Sequence, residues 1–445
     1  MYKRCYNNVR KHKGMVYMKS IAKKINKKIY YGWVIVLVSA IALFFSSPGQ
    51  TYSISVFNSY YETQLGYSKT LLSTGYSIAT TISGLLIVFV GRAIDKNGQR
   101  KMFIIVAIGL ALTTLFSSFV LNIWMIYISF FFLRFLGQGS LTLIPASLVP
   151  QWFDKKRAFA LSMMAFGGFF AMLLIPAFNL WMINTLDWQN AWRVWGLLLL
   201  VVFLPIVFFL VVNRPEDADI PMENETTFIS KEDALDALNK ESWTLKEAMK
   251  TKDFWFIGFS SMIVPMFTTG LVFHFFSVMD LRNISHETAA WIIGFMAFPM
   301  ILMPFAAKLF IDKTKPRYIF FTTQVIIFLA MVMLLLWVQN ATAAIIFILI
   351  YGLGAAIQSV TLNTIYPYYY GRKYLGSIRG MATVFMVIGS ALGPVQFAVS
   401  YDQFGTFNYA IIAMMIMTVI AAILSLLIHK PKKPESNIEV NQISQ

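Results

Sequence analysis

Apolar residues in this chain come in long runs rather than in alternation with polar ones, and short polar links separate twelve such runs. Their approximate limits are 31–57, 69–90, 102–121, 123–148, 158–183 and 191–212, then 253–279, 289–309, 318–338, 343–365, 379–401 and 407–429. Each holds about 20 residues or more, and at a helical rise of about 1.5 Å per residue that length crosses roughly 30 Å of hydrocarbon. The pattern therefore predicts membrane helices, whose backbone groups are satisfied within their own segment. The first run is too long for the core of a signal peptide and lacks a clear small-residue cleavage site. One long polar stretch divides the runs six and six. The expected architecture is an all-α membrane protein of twelve transmembrane helices in two six-helix halves, 31–212 and 253–429, with a basic tail at 1–30, a linker at 213–252 and a second tail at 430–445.

Composition fits this class, with 58% hydrophobic and 13% charged residues among 445. The net charge of +16 would point to nucleic acid in a soluble chain, so its placement decides. Of the 37 Lys and Arg, 33 fall in tails and links on one side of the predicted bundle, while Lys69, Arg193 and Arg282 fall on the other and Arg134 lies inside a span. Membrane proteins keep such basic links inside, which predicts both termini in the cytoplasm and a place in the cell membrane. The same dispersal, with no interleaved aromatics, disposes of a nucleic-acid surface. The linker carries ten Asp or Glu, and its end, Trp243 to Met249, reads as a short amphipathic helix at the membrane surface.

Candidate chemistry is sparse. Cys5 is the single cysteine, and His12, His274, His286 and His429 are scattered, so neither a disulfide framework nor a metal site is expected. Gly66-Tyr67-Ser68-Lys69-Thr70 lacks the glycines of a phosphate loop. With no enzyme signature, no cofactor and no nucleotide motor, uphill movement of a solute would draw on a coupling ion or a counter-solute.

One link returns 217 residues later. Asp95, Lys96 and Arg100 recur as Asp312, Lys313 and Arg317, Gly137 as Gly354, Pro150 as Pro367, and Lys155-Lys156 as Arg372-Lys373. A single offset shared by three segments is the mark of duplicated halves. The link itself, Gly91-x-x-x-Asp95-x-x-Gly98 followed by Arg100-Lys101, resembles the signature loop of the major facilitator superfamily, with Gln99 where that family usually has Arg. Tyr31-Gly32-Trp33, Arg134 through Thr142, Arg214-Pro215-Glu216-Asp217 and Asp402-x-x-Gly405 together resemble its oxalate/formate antiporter branch, related to the monocarboxylate transporters.

Arg134 stands near the middle of an otherwise uncharged run, where an Arg costs about 2.5–3.5 kcal/mol on insertion scales. It must face an aqueous cavity or an acceptor on a neighbouring helix, and Gln138, one turn on, shares its face. His274 reads either as a proton relay or as an interfacial histidine with a satisfied hydrogen bond. Gly389-x-x-x-Gly393-Pro394 reads as close helix packing with a point of bending. The resemblance implies that the first, fourth, seventh and tenth spans line a central cavity, so Gln50, Tyr52, Arg134, Gln138, His274, Tyr351, Gln358 and Asn363 are the candidate substrate contacts. It likewise implies a gate in which Gly91, Asp95, Gly98 and Arg100 of one loop work with Asp312 and Arg317 of the other.

The expected function is secondary active transport of a small organic anion of monocarboxylate type by alternating access, by antiport or proton symport, in a monomer within the lipid bilayer. One departure counts against oxalate itself, whose transport in the family relies on basic residues within the eighth and eleventh helices. Here only Lys308 and Arg379 stand there, both near the inner ends. Efflux of an amphiphilic compound and a non-transporting sensor are the alternatives.

Overall fold

The computed structural model describes residues 19–431 apart from 21, 154–155, 222–242, 307–312 and 372–373. All regular structure among the described residues is helical. Eleven helices are long and apolar enough to cross a membrane, and a shorter apolar helix, Gly32–Phe45, continues beyond a break as Thr51–Leu65, which completes twelve spans. The break is Ser47–Gly49, where Pro48 supplies no donor and Gly49 fits against another backbone.

Spans 2 and 3 are Lys69–Asn97 and Gln99–Ser117, span 4 runs Ile123–Gln151, and spans 5 and 6 are Arg157–Leu186 and 188–210. In the second half, span 7 is Lys252–Phe273 continued by Phe275–Asp280, and span 8 is His286–Phe295 continued by Ala297–Ala306. Spans 9 to 12 are Pro316–Leu336, Ala341–Tyr370, Leu375–Phe404 and Asn408–Leu426. Side chains from the links start several of them: Ser68, Asn122, Asp187, Thr251, Ser285 and Asn340 each accept a backbone N–H of the first turn. Two spans depart from regular winding. Span 4 widens to π-type turns over Leu133–Ser140, around Arg134, and span 6 does so over Leu199–Phe203.

Apolar side chains face outward here, as a bilayer requires: Leu85, Val201 and Ile416 are each about 60% exposed. Polar groups turn inward and meet one another. In the first half Asn179 donates to Ser53 Oγ at 2.8 Å and accepts from Trp195 Nε1 at 2.8 Å, while Phe57 stacks on Trp192 at 3.9 Å. In the second half Gly389 and Gly393 lie directly on the Met262 and Met266 carbonyls of span 7, so the two small residues and the two carbonyls are each one turn apart. The halves meet along two seams. Span 2 packs on span 11, and span 5 packs on span 8, where Phe169 meets Phe298 edge to face at 5.3 Å.

On the face that bears the termini, Lys23 at 2.9 Å and Lys19 at 3.6 Å pair with Asp219. The hydrogen bond from Lys23 and the charge of both lysines hold that carboxyl below its ordinary range. The helix expected at Trp243 to Met249 is a single turn, Leu245–Ala248, closed by a Thr244–Glu247 capping box. Trp243 anchors it to span 10 through a 2.9 Å bond to the Tyr370 carbonyl and an edge-to-face ring contact.

Candidate functional site

A cavity of about 530 Å³ lies between the halves, on the terminus-bearing side of the midplane. Span 1 gives it Ser46, Gln50 and Tyr52, span 4 gives Thr142, and apolar side chains of spans 5 and 8 such as Phe169, Met172, Met300 and Ile301 complete the wall. The broken first span brings its polar residues there, since the turn at Ser47–Gly49 bends the chain where Gln50 and Tyr52 follow. Gln50 Nε2 donates to Ser46 Oγ at 3.0 Å, and Tyr52 and Ser47 hydroxyls lie 3.3 Å apart. Among the described residues, no side chain in this wall carries a formal charge.

Arg134 stands behind the wall rather than in it, and is 4% exposed. Its Nε donates to Thr80 Oγ1 at 3.1 Å, its Nη1 lies 3.3 Å from the Gly49 carbonyl and 3.4 Å from Thr51 Oγ1, and its guanidinium sits 5.0 Å over the Tyr76 ring. Every one of these partners is neutral, and among the described residues no carboxylate pairs with Arg134. The wide turns of span 4 allow Gly137 to lie 2.8 Å from where a Gly49 side chain would start, so spans 1 and 4 touch by backbone at this level. The side-chain carbonyl of Gln138, one turn from Arg134, is buried without a partner.

The remaining expected contacts are dispersed. Tyr351 is fully buried in the second half, with its hydroxyl on Thr268 and 3.2 Å from the Val264 carbonyl. Gln358 donates to the Ser261 carbonyl at 2.9 Å and accepts from Gln324 at 3.4 Å, which ties spans 7, 9 and 10 together. Asn363 is exposed, bonded to its own helix at the Ser359 carbonyl, and its backbone carbonyl accepts Arg379 Nη2 at 2.9 Å. His274 breaks span 7 and lies on the seam with span 2, with Nε2 3.0 Å from Ser73 Oγ. The structure thus brings Gln50, Tyr52, Arg134 and Gln138 together around the first-span break and sets the other four apart.

The loop from Gly91 to Lys101 is fastened within its own half. Asn213 accepts the Arg100 backbone N–H at 2.8 Å, and Arg100 Nη2 donates to the Phe208 carbonyl at 2.8 Å. Gly98, with φ +81 and ψ 154, occupies a conformation nearly closed to other residues. Gly91 has open space around it, and Asp95 is exposed with no ion pair among the described residues. Arg317 donates to the Ile428 carbonyl at 3.4 Å and to Tyr318 at 2.8 Å, again within its own half. Asp312 and Lys308 lie outside the described residues.

Sequence reasoning missed the group that closes the opposite face. Lys69, read from sequence as a link residue, is 9% exposed and ion-paired with Glu62. It also donates to Ser277 Oγ of the second half at 3.0 Å and lies 4.8 Å over the Tyr401 ring, while Asp402 accepts the Thr70 N–H at 3.0 Å. The available signal was spacing: Lys69, Ser73, Tyr76 and Thr80 share one face of span 2.

A model of the Major Facilitator Superfamily matches residues 37–394. Among solved structures, a bacterial homolog of the human lysosomal transporter Spinster, inward-facing and unoccupied, superposes with a TM-score of 0.67 at 12% identity, covering 90% of this chain and 97% of that one. The nucleoside transporter NupG superposes with a TM-score of 0.67 at 14% identity, covering 89% of this chain and 100% of its own. At such identities the likeness is one of fold. No curated protein matches the chain in sequence.

Proposed function

Because the chain belongs to the major facilitator superfamily and is a multi-pass membrane transport protein, we propose that it carries a small organic anion of monocarboxylate type by alternating access, as an antiporter or proton symporter. Its termini are placed in the cytoplasm and the protein in the cell membrane. In that orientation the closed Lys69 face is external, the cavity at Gln50 belongs to an inward-facing state, and the exposed Asp95 loop is a released gate.

One observation carries the choice of an anion. The charge of Arg134 is answered only by neutral groups, and its Gly49 and Thr51 contacts flank Gln50, which lines the cavity. An uncompensated cation in a medium of low dielectric attracts a carboxylate through the intervening wall far more strongly than it would in water. Gln50, Ser46 and Tyr52 then supply hydrogen bonds, and Phe169, Met172 and Met300 receive the apolar end. Among the described residues a dianion has no second cation to meet there.

The second reading, efflux of an amphiphile, is favoured by the same apolar wall and its lack of formal charge. Ligand-dependent stabilisation separates the two, because a ligand that binds the folded state raises its melting temperature. Purified protein is expected to be stabilised by small monocarboxylates, with the shift lost in Arg134→Gln. Stabilisation by lipophilic cations alone, unchanged in that variant, would select the second reading.

A further inference from the structure

Two antiparallel helices carry the same polar spacing where they meet. Thr51, Ser55, Asn58 and Glu62 share one face of the first span, and Lys69, Ser73, Tyr76 and Thr80 share one face of the second. The rows join at their two ends. Glu62 pairs with Lys69, and nearer the midplane the Thr51 and Tyr76 hydroxyls lie 2.7 Å apart above Arg134. Ser73 instead leaves its half, and its Oγ lies 3.0 Å from His274 Nε2 on span 7, a nitrogen also 3.1 Å from the Pro394 carbonyl of span 11. His274 is 3% exposed and enclosed by the rings of Phe273, Phe397 and Phe407. The Ser73–His274 bond and the Lys69 and Thr70 contacts to Ser277, Tyr401 and Asp402 cross the seam on the face away from the termini, and opening of that face would break them.

We propose that His274 is a proton-binding site on this seam, unprotonated while the face is closed and protonated when it opens, so that acid on that side holds the face open. The inference rests on the transport reading above and adds to it a control of one face by pH. A neutral imidazole has one N–H, and Nε2 serves either as donor to the Pro394 carbonyl or as acceptor from Ser73. A second proton would put a cation among aromatic rings, on the same seam as the Lys69 ammonium and, among the described residues, without a carboxylate in contact. Of the charged and titratable groups packed around it, Glu62 is bound to Lys69, Tyr76 faces Thr51 and Arg134, Tyr401 lies against Phe407, and Asp402 holds the Thr70 amide at the exposed rim.

Opening removes Lys69 and Ser73 with the first half and admits water, which solvates an imidazolium. A proton that binds only the open face holds it open, and closure expels it. Acid on that side therefore favours the outward-facing state.

The test needs no substrate. Spin labels at Thr63→Cys and Leu281→Cys in a Cys5→Ser background sit at exposed positions on opposite halves beside the seam. The expected result is a population of longer label distances that grows as pH falls from 8 to 5, stays flat in His274→Gln, and begins at higher pH in Lys69→Gln. Distances independent of pH in the otherwise wild-type protein would overturn the proposal. So would a response kept in His274→Gln and lost in Glu62→Gln or Asp402→Asn. Should His274→Gln fail to fold, an unmoved midpoint in Lys69→Gln overturns it instead. Failure here leaves the anion reading standing, since that reading rests on Arg134 and on ligand binding.

Discussion

Arg134 and Lys69 are both buried cations, and the protein answers them differently. Lys69 has a carboxylate, Glu62, on its own half and neutral partners across the seam, so its charge is paired where it sits. Arg134 meets only hydroxyls, a carbonyl and a ring face, which satisfies its donors and leaves its charge. Sequence made Arg134 legible because one charge in an apolar run is conspicuous. Its partners Thr80 and Thr51 were not, since hydroxyls in spans are common. The Gly91–Lys101 loop separates in the same way into a conformational residue and a charged one. Gly98→Ala is expected to lower the melting temperature through a backbone cost of about 1–3 kcal/mol, because its φ and ψ suit glycine. Asp95→Asn, at an exposed site, is expected to leave melting unchanged and to slow flux in liposomes. Unchanged flux in Asp95→Asn would remove Asp95 from the gate.

At the scale of the element, length and polarity located all twelve spans, most of their ends to within a few residues, and the larger discrepancies have causes. The first span extends to Leu65 rather than about residue 57 because Asn58 and Glu62 are polar yet turn into the bundle, so hydropathy ends before the helix does. The wide turns around Arg134 and the break at His274 left no mark in periodicity, since both are set by tertiary contacts. The Gly389–Gly393 pair was legible as close packing, and its partner, the Met262 and Met266 carbonyls, was not. Gly393→Leu has no room against the Met266 carbonyl and the Gly270 amide 2.9 Å away. Overpacking of this kind costs about 1–3 kcal/mol or more, so the variant is expected to fold in lower yield and melt earlier. A melting temperature equal to the wild type would contradict this packing.

For the whole molecule, duplication at a single offset announced two halves, and the fold bears that out with six spans on each side of the linker. What sequence could not supply was which polar residues of each half meet the other half and which stay at home. Tyr351 and Gln358 were as good candidates as Gln50 and Tyr52 on spacing alone; the second-half pair turns to spans 7 and 9, while the first-half pair borders the cavity. The candidate site is asymmetric, built chiefly on the first half, with Ala297, Met300 and Ile301 of the second half completing its apolar wall. The most direct test is counterflow of a labelled monocarboxylate in liposomes holding the wild-type protein or Arg134→Gln. The account predicts saturable exchange in the wild type, at least tenfold lower in the variant at equal folded protein. Equal exchange by both would show that Arg134 only packs helices and that the anion reading is wrong.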